Sequence, residues 1–324
     1  MGRVAVIDIG TVTTRLGVAD VASGRVTRCI KSSSITSLGE GVAETGQLRA
    51  DACERVLACV DGYLAQARTS GAKLACCTLT SAARDAENSE DLLLGLRQRG
   101  VVPQVIPGEV EGSLTFLGVA QDFPGRRLLV ADNGGGSTEL AVGTLCEGRL
   151  ELEAVRSLDV GCRRVTDLFL SREDPPAAEA VAQARDFCRR AFEAGVPSIQ
   201  GAPDLMACVG GTVTTLVAMD AELDPYDPSY VHLHELRLDE VDALAKRMAE
   251  LPLERRRGLT GLQPKRAGVI LGGALCISEL MRACGFDMLT VSESDLLFGL
   301  ALATDAQASG ELPVVGWRPE LFAL

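Results

Sequence analysis

The chain is poor in aromatic residues, in histidine and in positive charge. Only 4% of its 324 residues are aromatic, and it holds two histidines and one tryptophan. Platforms for stacking unpaired bases are therefore scarce, which excludes single-stranded nucleic acid as the main ligand. Lys and Arg number 32 against 44 Asp and Glu, a net charge of −12. Duplex nucleic acid and anionic membranes both require clustered cations, so both are excluded as partners. An anionic ligand must be gripped by local donors. The longest suspicious apolar stretch, Leu205 to Met219, contains Gly210-Gly211-Thr212 and falls short of the roughly 20 residues that span a bilayer. The eleven cysteines form no C-x-x-C pair and many sit in apolar runs, as expected for reduced thiols of a cytoplasmic protein. At the N-terminus an acid interrupts the apolar run at once, so Val4 to Asp8 reads as a strand and not as an export signal.

What is abundant is hydrophobic residue, 47%, and glycine, 34 in all. That is a globular composition, with length for roughly two domains of about 150 residues. Three short runs, Val4 to Asp8, Thr14 to Asp20 and Val26 to Ser32, predict a strand meander. Helices are expected at about 51–69, 88–99 and 109–120, with strands at Leu74 to Thr78 and Val101 to Ile106. Such alternation implies a mostly parallel sheet with helices on its faces. Phe123-Pro124-Gly125 marks a domain boundary. The stretch 236–304 reads as mostly helical.

The second part repeats the first. Val6 to Val18 aligns without a gap over Val130 to Val142, placing Asp8 on Asp132, Gly10 on Gly134, Thr13 on Ser137 and Thr14 on Thr138. Each copy reads strand, Asp-x-Gly turn, strand. Two matching units a domain apart predict duplicated domains facing one central cleft. A third glycine turn, Gly210-Gly211-Thr212, lies between a strand and a helix start.

Glycine turns at strand ends leave backbone N–H groups unshielded, and successive N–H groups cradle phosphate oxygens. Gly10, Gly134, Gly135, Gly136, Gly210 and Gly211 are the candidates. The hydroxyls of Thr11, Thr13, Thr14, Ser137, Thr138 and Thr212 add donors without charge. Asp8 and Asp132 each end an apolar strand, where a carboxylate is costly unless paired, hydrogen-bonded or metal-bound. Mg²⁺ resolves that cost, because it takes one or two carboxylates plus substrate phosphate. The alternative is an Asp that only closes its own turn. Arg15, Arg84 and Arg266 are the basic groups placed near phosphate. His232 and His234 lack further ligands at zinc spacing, and Glu254 to Arg257 reads as a solvated helix face.

Asp8 to Leu16, Ile35 to Gly41 with Thr45-Gly46, Thr80 to Asn88, Ile106 to Gly112, Asp132-Asn133-Gly134-Gly135-Gly136-Ser137-Thr138-Glu139 and Gly210-Gly211-Thr212 occur in this order. Tyr226-Asp227-Pro228 with Val231-His232, then Arg266 to Ile270, follow. Together they resemble the exopolyphosphatase and guanosine pentaphosphate phosphohydrolase (Ppx/GppA) family, short two-domain type. The resemblance implies an α/β fold of two ribonuclease-H-like domains, as in actin, sugar kinases and heat-shock chaperones. The first domain would span 1–123, with the final helix near 294–309 a candidate to rejoin it. The second would span 124–310, and 311–324 would be an irregular tail.

The resemblance further implies Mg²⁺-dependent release of terminal orthophosphate from inorganic polyphosphate, with short to medium chains favoured. Guanosine pentaphosphate is the second candidate substrate, and a homodimer is expected. Glu111 matches the general base, while Asp132 and Glu139 match acids that serve metal or water. The metal set is then Asp8, Asp132 and Glu139. Val12 and Val110 depart from the family pattern, as does Ser292 to Gly299, which lacks the usual Arg. These departures motivate two rival readings, a non-catalytic binder of guanosine tetra- or pentaphosphate and an ATP-dependent kinase.

Overall fold

The computed structural model describes residues 2–196 and 201–324. Met1 and 197–200, which the domain ranges above include, lie outside the described residues. The chain forms two compact units. One comprises the chain through Arg126 together with Thr144–Leu152 and Ser294–Leu324, the other Arg127–Gly143 and Glu153–Glu293.

The first unit begins β1 (Gly2–Ile9), β2 (Thr13–Ala22), β3 (Arg25–Ile35), α1 (Val42–Thr45) and α2 (Ala50–Thr69). It continues β4 (Leu74–Leu79), α3 (Ser81–Asp85), α4 (Ser89–Arg97), β5 (Pro103–Val105) and α5 (Gly108–Ala120). β1 pairs antiparallel with β2 and parallel with β4, and β4 pairs parallel with β5. β1 is buried on both faces, and its period of two sorts side chains into two cores. Ala5, Ile7 and Ile9 join the residues of α2 and α4, whereas Val4 and Val6 join those of α5. Asp8 shares the parity of Val4 and Val6 and comes at the carboxyl end of its strand, where open α/β sheets place ligands.

The second unit begins β6 (Arg127–Asn133), β7 (Thr138–Cys146), β8 (Arg149–Leu158), α6 (Cys162–Val165), a π-helical turn (Thr166–Leu170) and α7 (Ala178–Gly195). It continues β9 (Leu205–Val209), α8 (Gly211–Asp220), α9 (Pro228–Val231), β10 (Glu235–Arg237), α10 (Leu238–Ala249), α11 (Leu253–Arg256), α12 (Ile270–Cys284) and β11 (Met288–Val291). Its sheet order, β10-β11-β9-β6-β7-β8, carries the same path as β5-β4-β1-β2-β3 of the first. The fold is thus α/β with a duplicated topology.

The structure departs from the sequence reading in four places. The tail and the β7–β8 hairpin tip group with the first unit, alongside α13 (Leu296–Ala308), the helix offered as a candidate to rejoin it. α13 is apolar around most of its circumference, and Leu296, Leu297, Leu300 and Ala301 join the core of α5. The tail is not wholly irregular, because β12 (Phe322–Ala323) adds antiparallel to β4 and buries Phe322. β11, inside the stretch read as helical, is too short to show a period of its own. Arg256 is buried on a bond to Asp174 at 3.1 Å, so the Glu254 to Arg257 run is not a fully solvated face.

All eleven cysteines are free thiols. Burial pushes Cys76 up to about 12, and Cys208 higher still, while Cys146 is exposed. Only the thiolate reacts. Iodoacetamide at pH 8 on the native protein is therefore expected to label Cys146 and to leave Cys76 and Cys208 unmodified until denaturant is added. Peptide mass mapping checks it, and fast native labelling of Cys76 would contradict the packing.

Candidate active site

The two repeated loops are built alike. In the first unit the Gly10 N–H donates to Thr13 O at 3.0 Å, and in the second Gly134 N–H donates to Ser137 O at 3.0 Å. Each loop is also held from behind by the segment that follows the third strand. Thr11 O accepts from Gly39 N at 2.8 Å, and Val12 O from Thr36 N and Ser37 N at 3.0 and 2.9 Å. Gly134 O accepts from Cys162 N at 3.0 Å, and Gly135 O from Arg163 N and Arg164 N at 2.8 and 3.1 Å. Arg164 Nε donates to Gly136 O at 2.8 Å.

In a trans peptide the carbonyl of one residue and the N–H of the next point in opposite directions. Drawing these carbonyls backward therefore turns the N–H groups of Val12 and Thr13, and of Gly135, Gly136 and Ser137, the other way. Each loop offers a concave row of donors suited to an anion. Thr14 and Thr138 do not add to these rows. Thr14 Oγ1 bonds Thr36 Oγ1 at 2.9 Å, and Thr138 Oγ1 donates to Val160 O and accepts from Asn133 Nδ2. Both are fully buried, because residues one past the turn face the sheet interior. Thr11 and Ser137 are buried and Thr13 half-buried.

Arg163 and Arg164 escaped the sequence reading, although two adjacent arginines in Gly161-Cys162-Arg163-Arg164 were visible. The backbone approach there is close. A Cβ on Gly161 would lie 2.5 Å from Gly135 O and 2.8 Å from the Gly136 carbonyl carbon. At the third turn, Gly210 and Gly211 open α8, whose N-terminal N–H groups are donors suited to an anion. The Arg266 guanidinium lies against Gly211, 2.4 Å from where a Cβ would stand, and Asp132 Oδ1 lies 3.1 Å from the equivalent position on Gly210. Asp132, Gly210, Gly211, Thr212 and Arg266 thus come together within the second unit. Glu139 is buried, not solvated, and accepts from Ser157 Oγ at 2.7 Å.

In the first unit Glu111 lies in the opening turns of α5, buried, with Arg84 Nη1 donating to its Oε2 at 2.7 Å and to Ile106 O at 2.9 Å. Two residues expected to serve separately, a base and a phosphate ligand, are therefore one ion pair. Arg15 also differs from expectation, being engaged by carboxylates. Its Nε and Nη2 meet Asp8 Oδ2 at 2.9 and 2.7 Å, and its Nη1 meets Asp295 Oδ2 at 3.0 Å. Lys31 Nζ joins the same Asp295 oxygen at 3.2 Å. Burial pushes the Asp8 carboxyl up against the pull of Arg15. Burial acts likewise on Asp295, but Lys31 and Arg15 outweigh it and hold that carboxyl below the usual range.

Asp8 Oδ1 is buried with no hydrogen-bond partner, and so is Thr78 Oγ1 of the neighbouring strand, which faces Asp8 in register. Two unsatisfied buried oxygens, one of them a carboxylate's, suit an oxygen-seeking cation that keeps water. Among the described residues no group of three or more His, Cys, Asp or Glu is arranged to hold a metal. Any cation here would rest on few protein ligands, the habit of Mg²⁺. His232 Nδ1 accepts from Glu293 N at 3.2 Å, and His234 stacks on Tyr230 with ring centroids 5.0 Å apart. Among the described residues no helix is long and apolar enough to cross a membrane.

Comparison with known proteins bears on this geometry. The pattern of the Ppx/GppA phosphatase family matches residues 17–303. Exopolyphosphatase 2 of Mycobacterium tuberculosis strain H37Rv is 34% identical over 321 residues, covering 93% of this chain and 98% of that protein. The crystal structure of the Ppx/GppA family member of Aquifex aeolicus superposes with a TM-score of 0.76 at 30% identity, covering 95% of this chain and 98% of that one. An exopolyphosphatase-like protein of known structure gives a TM-score of 0.85 at 29% identity, covering 93% and 97%. The chain is a phosphatase-type enzyme, and it belongs to the Ppx/GppA phosphatase family.

Proposed function

We propose that the enzyme releases terminal orthophosphate from inorganic polyphosphate with Mg²⁺, favouring short to medium chains, with guanosine pentaphosphate as a second substrate. The proposal includes a cytoplasmic homodimer. The observation that carries it is the repeated loop geometry, which turns two rows of backbone N–H groups outward in an acidic protein with no broad cationic field. Such rows grip phosphate oxygens without net charge. The name of the mycobacterial relative supports polyphosphate as the class.

Hydrolysis of a phosphoanhydride needs little covalent help from the protein and much positioning and charge stabilisation. The N–H groups of Val12 and Thr13, of Gly135, Gly136 and Ser137, and of the Gly210-Gly211-Thr212 turn would hold phosphate oxygens. Arg266 would add a charge beside that last turn. Glu111, kept in place by Arg84, would accept the proton of the water that attacks the end phosphorus. Asp8 within the first unit, and Asp132 with Glu139 within the second, are the acids that would hold Mg²⁺ or its water. Bound there, the cation would supply charge that offsets the phosphate oxygens and the leaving phosphate.

Orthophosphate release, measured with and without Mg²⁺ on medium-chain polyphosphate, guanosine pentaphosphate and ATP, tests the reading. Release from polyphosphate is expected to dominate. Tight binding of the guanosine compound with no release would make the chain a binding protein, and phosphorylation of an acceptor by ATP would make it a kinase. Asp8→Asn removes the carboxylate charge at the unsatisfied oxygen. It is expected to raise the Mg²⁺ concentration for half-maximal release by about tenfold or more, and an unchanged Mg²⁺ titration would remove Asp8 from the cation site.

A further inference from the structure

Four charged side chains of the first unit form one chain of contacts, Lys31 to Asp295 to Arg15 to Asp8, drawn from β3, the N-cap of α13, β2 and β1. Asp8 and Asp295 are both buried, and the two acids and two bases balance. We propose that Asp295 is a positioning residue for Asp8: by anchoring Arg15 it commits one carboxylate oxygen of Asp8 and reserves the other for the cation. The proposal rests on the cation reading above.

The geometry supports each link. The guanidinium is a rigid planar fork, so fixing one edge fixes the others. With Nη1 held on Asp295 Oδ2, the Nε and Nη2 edge converges on Asp8 Oδ2 alone, and Asp8 Oδ1 is left without a hydrogen bond. Asp295 is itself held at several points. Its Oδ1 accepts from Leu297 N at 2.9 Å, which caps α13, and its Oδ2 takes Lys31, whose ammonium also sits 5.4 Å from the centre of the Phe298 ring. Its backbone carbonyl packs on α5 where only a glycine fits, 2.3 Å from the Cβ that Gly118 lacks. Asp295 thus carries the position of the α5–α13 pair into the carboxylate at the end of β1. Groups that orient a metal ligand in this way typically govern affinity by 10- to 100-fold.

Mn²⁺ binding to the full chain without substrate, followed by the electron paramagnetic resonance of the free ion, tests this apart from turnover. Asp295→Asn keeps an oxygen able to cap α13 but gives up the ion pairs to Arg15 and Lys31, so Tm is expected to fall with unfolding still cooperative, while Mn²⁺ affinity, measured well below that Tm, falls about 10- to 100-fold. The variant carries one more positive charge, so Asp295→Asn combined with Lys31→Gln restores the charge balance and is expected to remain weak. If the double variant recovers parental affinity, the effect is charge alone and the positioning role fails. If Asp295→Asn binds as the parent does while Asp8→Asn loses binding, positioning fails and the cation site stands. If Asp8→Asn binds Mn²⁺ as the parent does, or the parent binds none, the cation reading falls and this inference with it.

Discussion

Glu111→Gln is expected to lower kcat for orthophosphate release by about 10²–10⁴-fold while leaving KM within a few-fold of the parent. The amide is nearly isosteric and retains an oxygen that can accept from Arg84 Nη1, so the opening turns of α5 keep their place. What it loses is the capacity to take a proton from water. A group whose function lies in the transition state alone moves kcat and not substrate binding, which gives the measurement its diagnostic split. Glu109 is the internal control. It lies on the same turn but is exposed, and Glu109→Gln is expected to leave both constants unchanged. A Glu111→Gln enzyme with near-parental kcat would transfer the base to another residue. A rise in KM at constant kcat would make the Glu111–Arg84 pair a binding element.

The parts of the molecule legible in the sequence are those that local pattern dictates. The gapless match of Val6 to Val18 with Val130 to Val142 reappears as the same turn bond, from Gly10 to Thr13 and from Gly134 to Ser137, and as the same strand path in both sheets. Val4 to Asp8 was readable as a strand from its apolar run, and it is β1, buried on both faces. Two things were not readable, each for a physical cause. Arg15 and Asp295 are 280 residues apart, so no spacing rule connects a basic residue after a glycine turn with an acid that caps the last helix. The hydroxyls of Thr14 and Thr138 look like donors on composition, but the alternation that buries Leu16 and Leu140 turns these residues inward too. The resemblance offered the final helix as a candidate to rejoin the first domain, and α13 groups with the first unit because its apolar surface and Gly299 match α5, with the Gly299 Cβ position 1.9 Å from Leu114 O. Complementarity of two helix backbones is a property of the pair and is absent from either segment alone.

Gly161→Ala is expected to reduce kcat/KM by about 10²-fold with the fold intact. The added methyl would meet Gly135 O at 2.5 Å, its carbonyl carbon at 2.6 Å and the Gly136 carbonyl carbon at 2.8 Å, all of them backbone. Backbone cannot turn aside as a side chain does, so the loop or α6 must shift by the better part of an ångström. Either movement lengthens the bonds from Cys162 N, Arg163 N and Arg164 N that draw the loop carbonyls backward. The N–H groups of Gly135, Gly136 and Ser137 then lose their common direction, and a displacement of about 1 Å in a positioning element can cost 10²-fold. Gly211→Ala differs in kind. Its added methyl meets only the far end of Arg266, which can swing away, so the expected result is a raised KM with a smaller change in kcat. Gly62, exposed in α2 with open space where a Cβ would stand, separates these effects from the mere addition of a methyl. Gly62→Ala is expected to keep full activity and to gain up to about 1 kcal/mol of stability from helix propensity. Steady-state kinetics and thermal unfolding of the three variants decide the matter. A Gly161→Ala enzyme with parental kcat/KM would show that the clamp behind the second loop does not set the donor row.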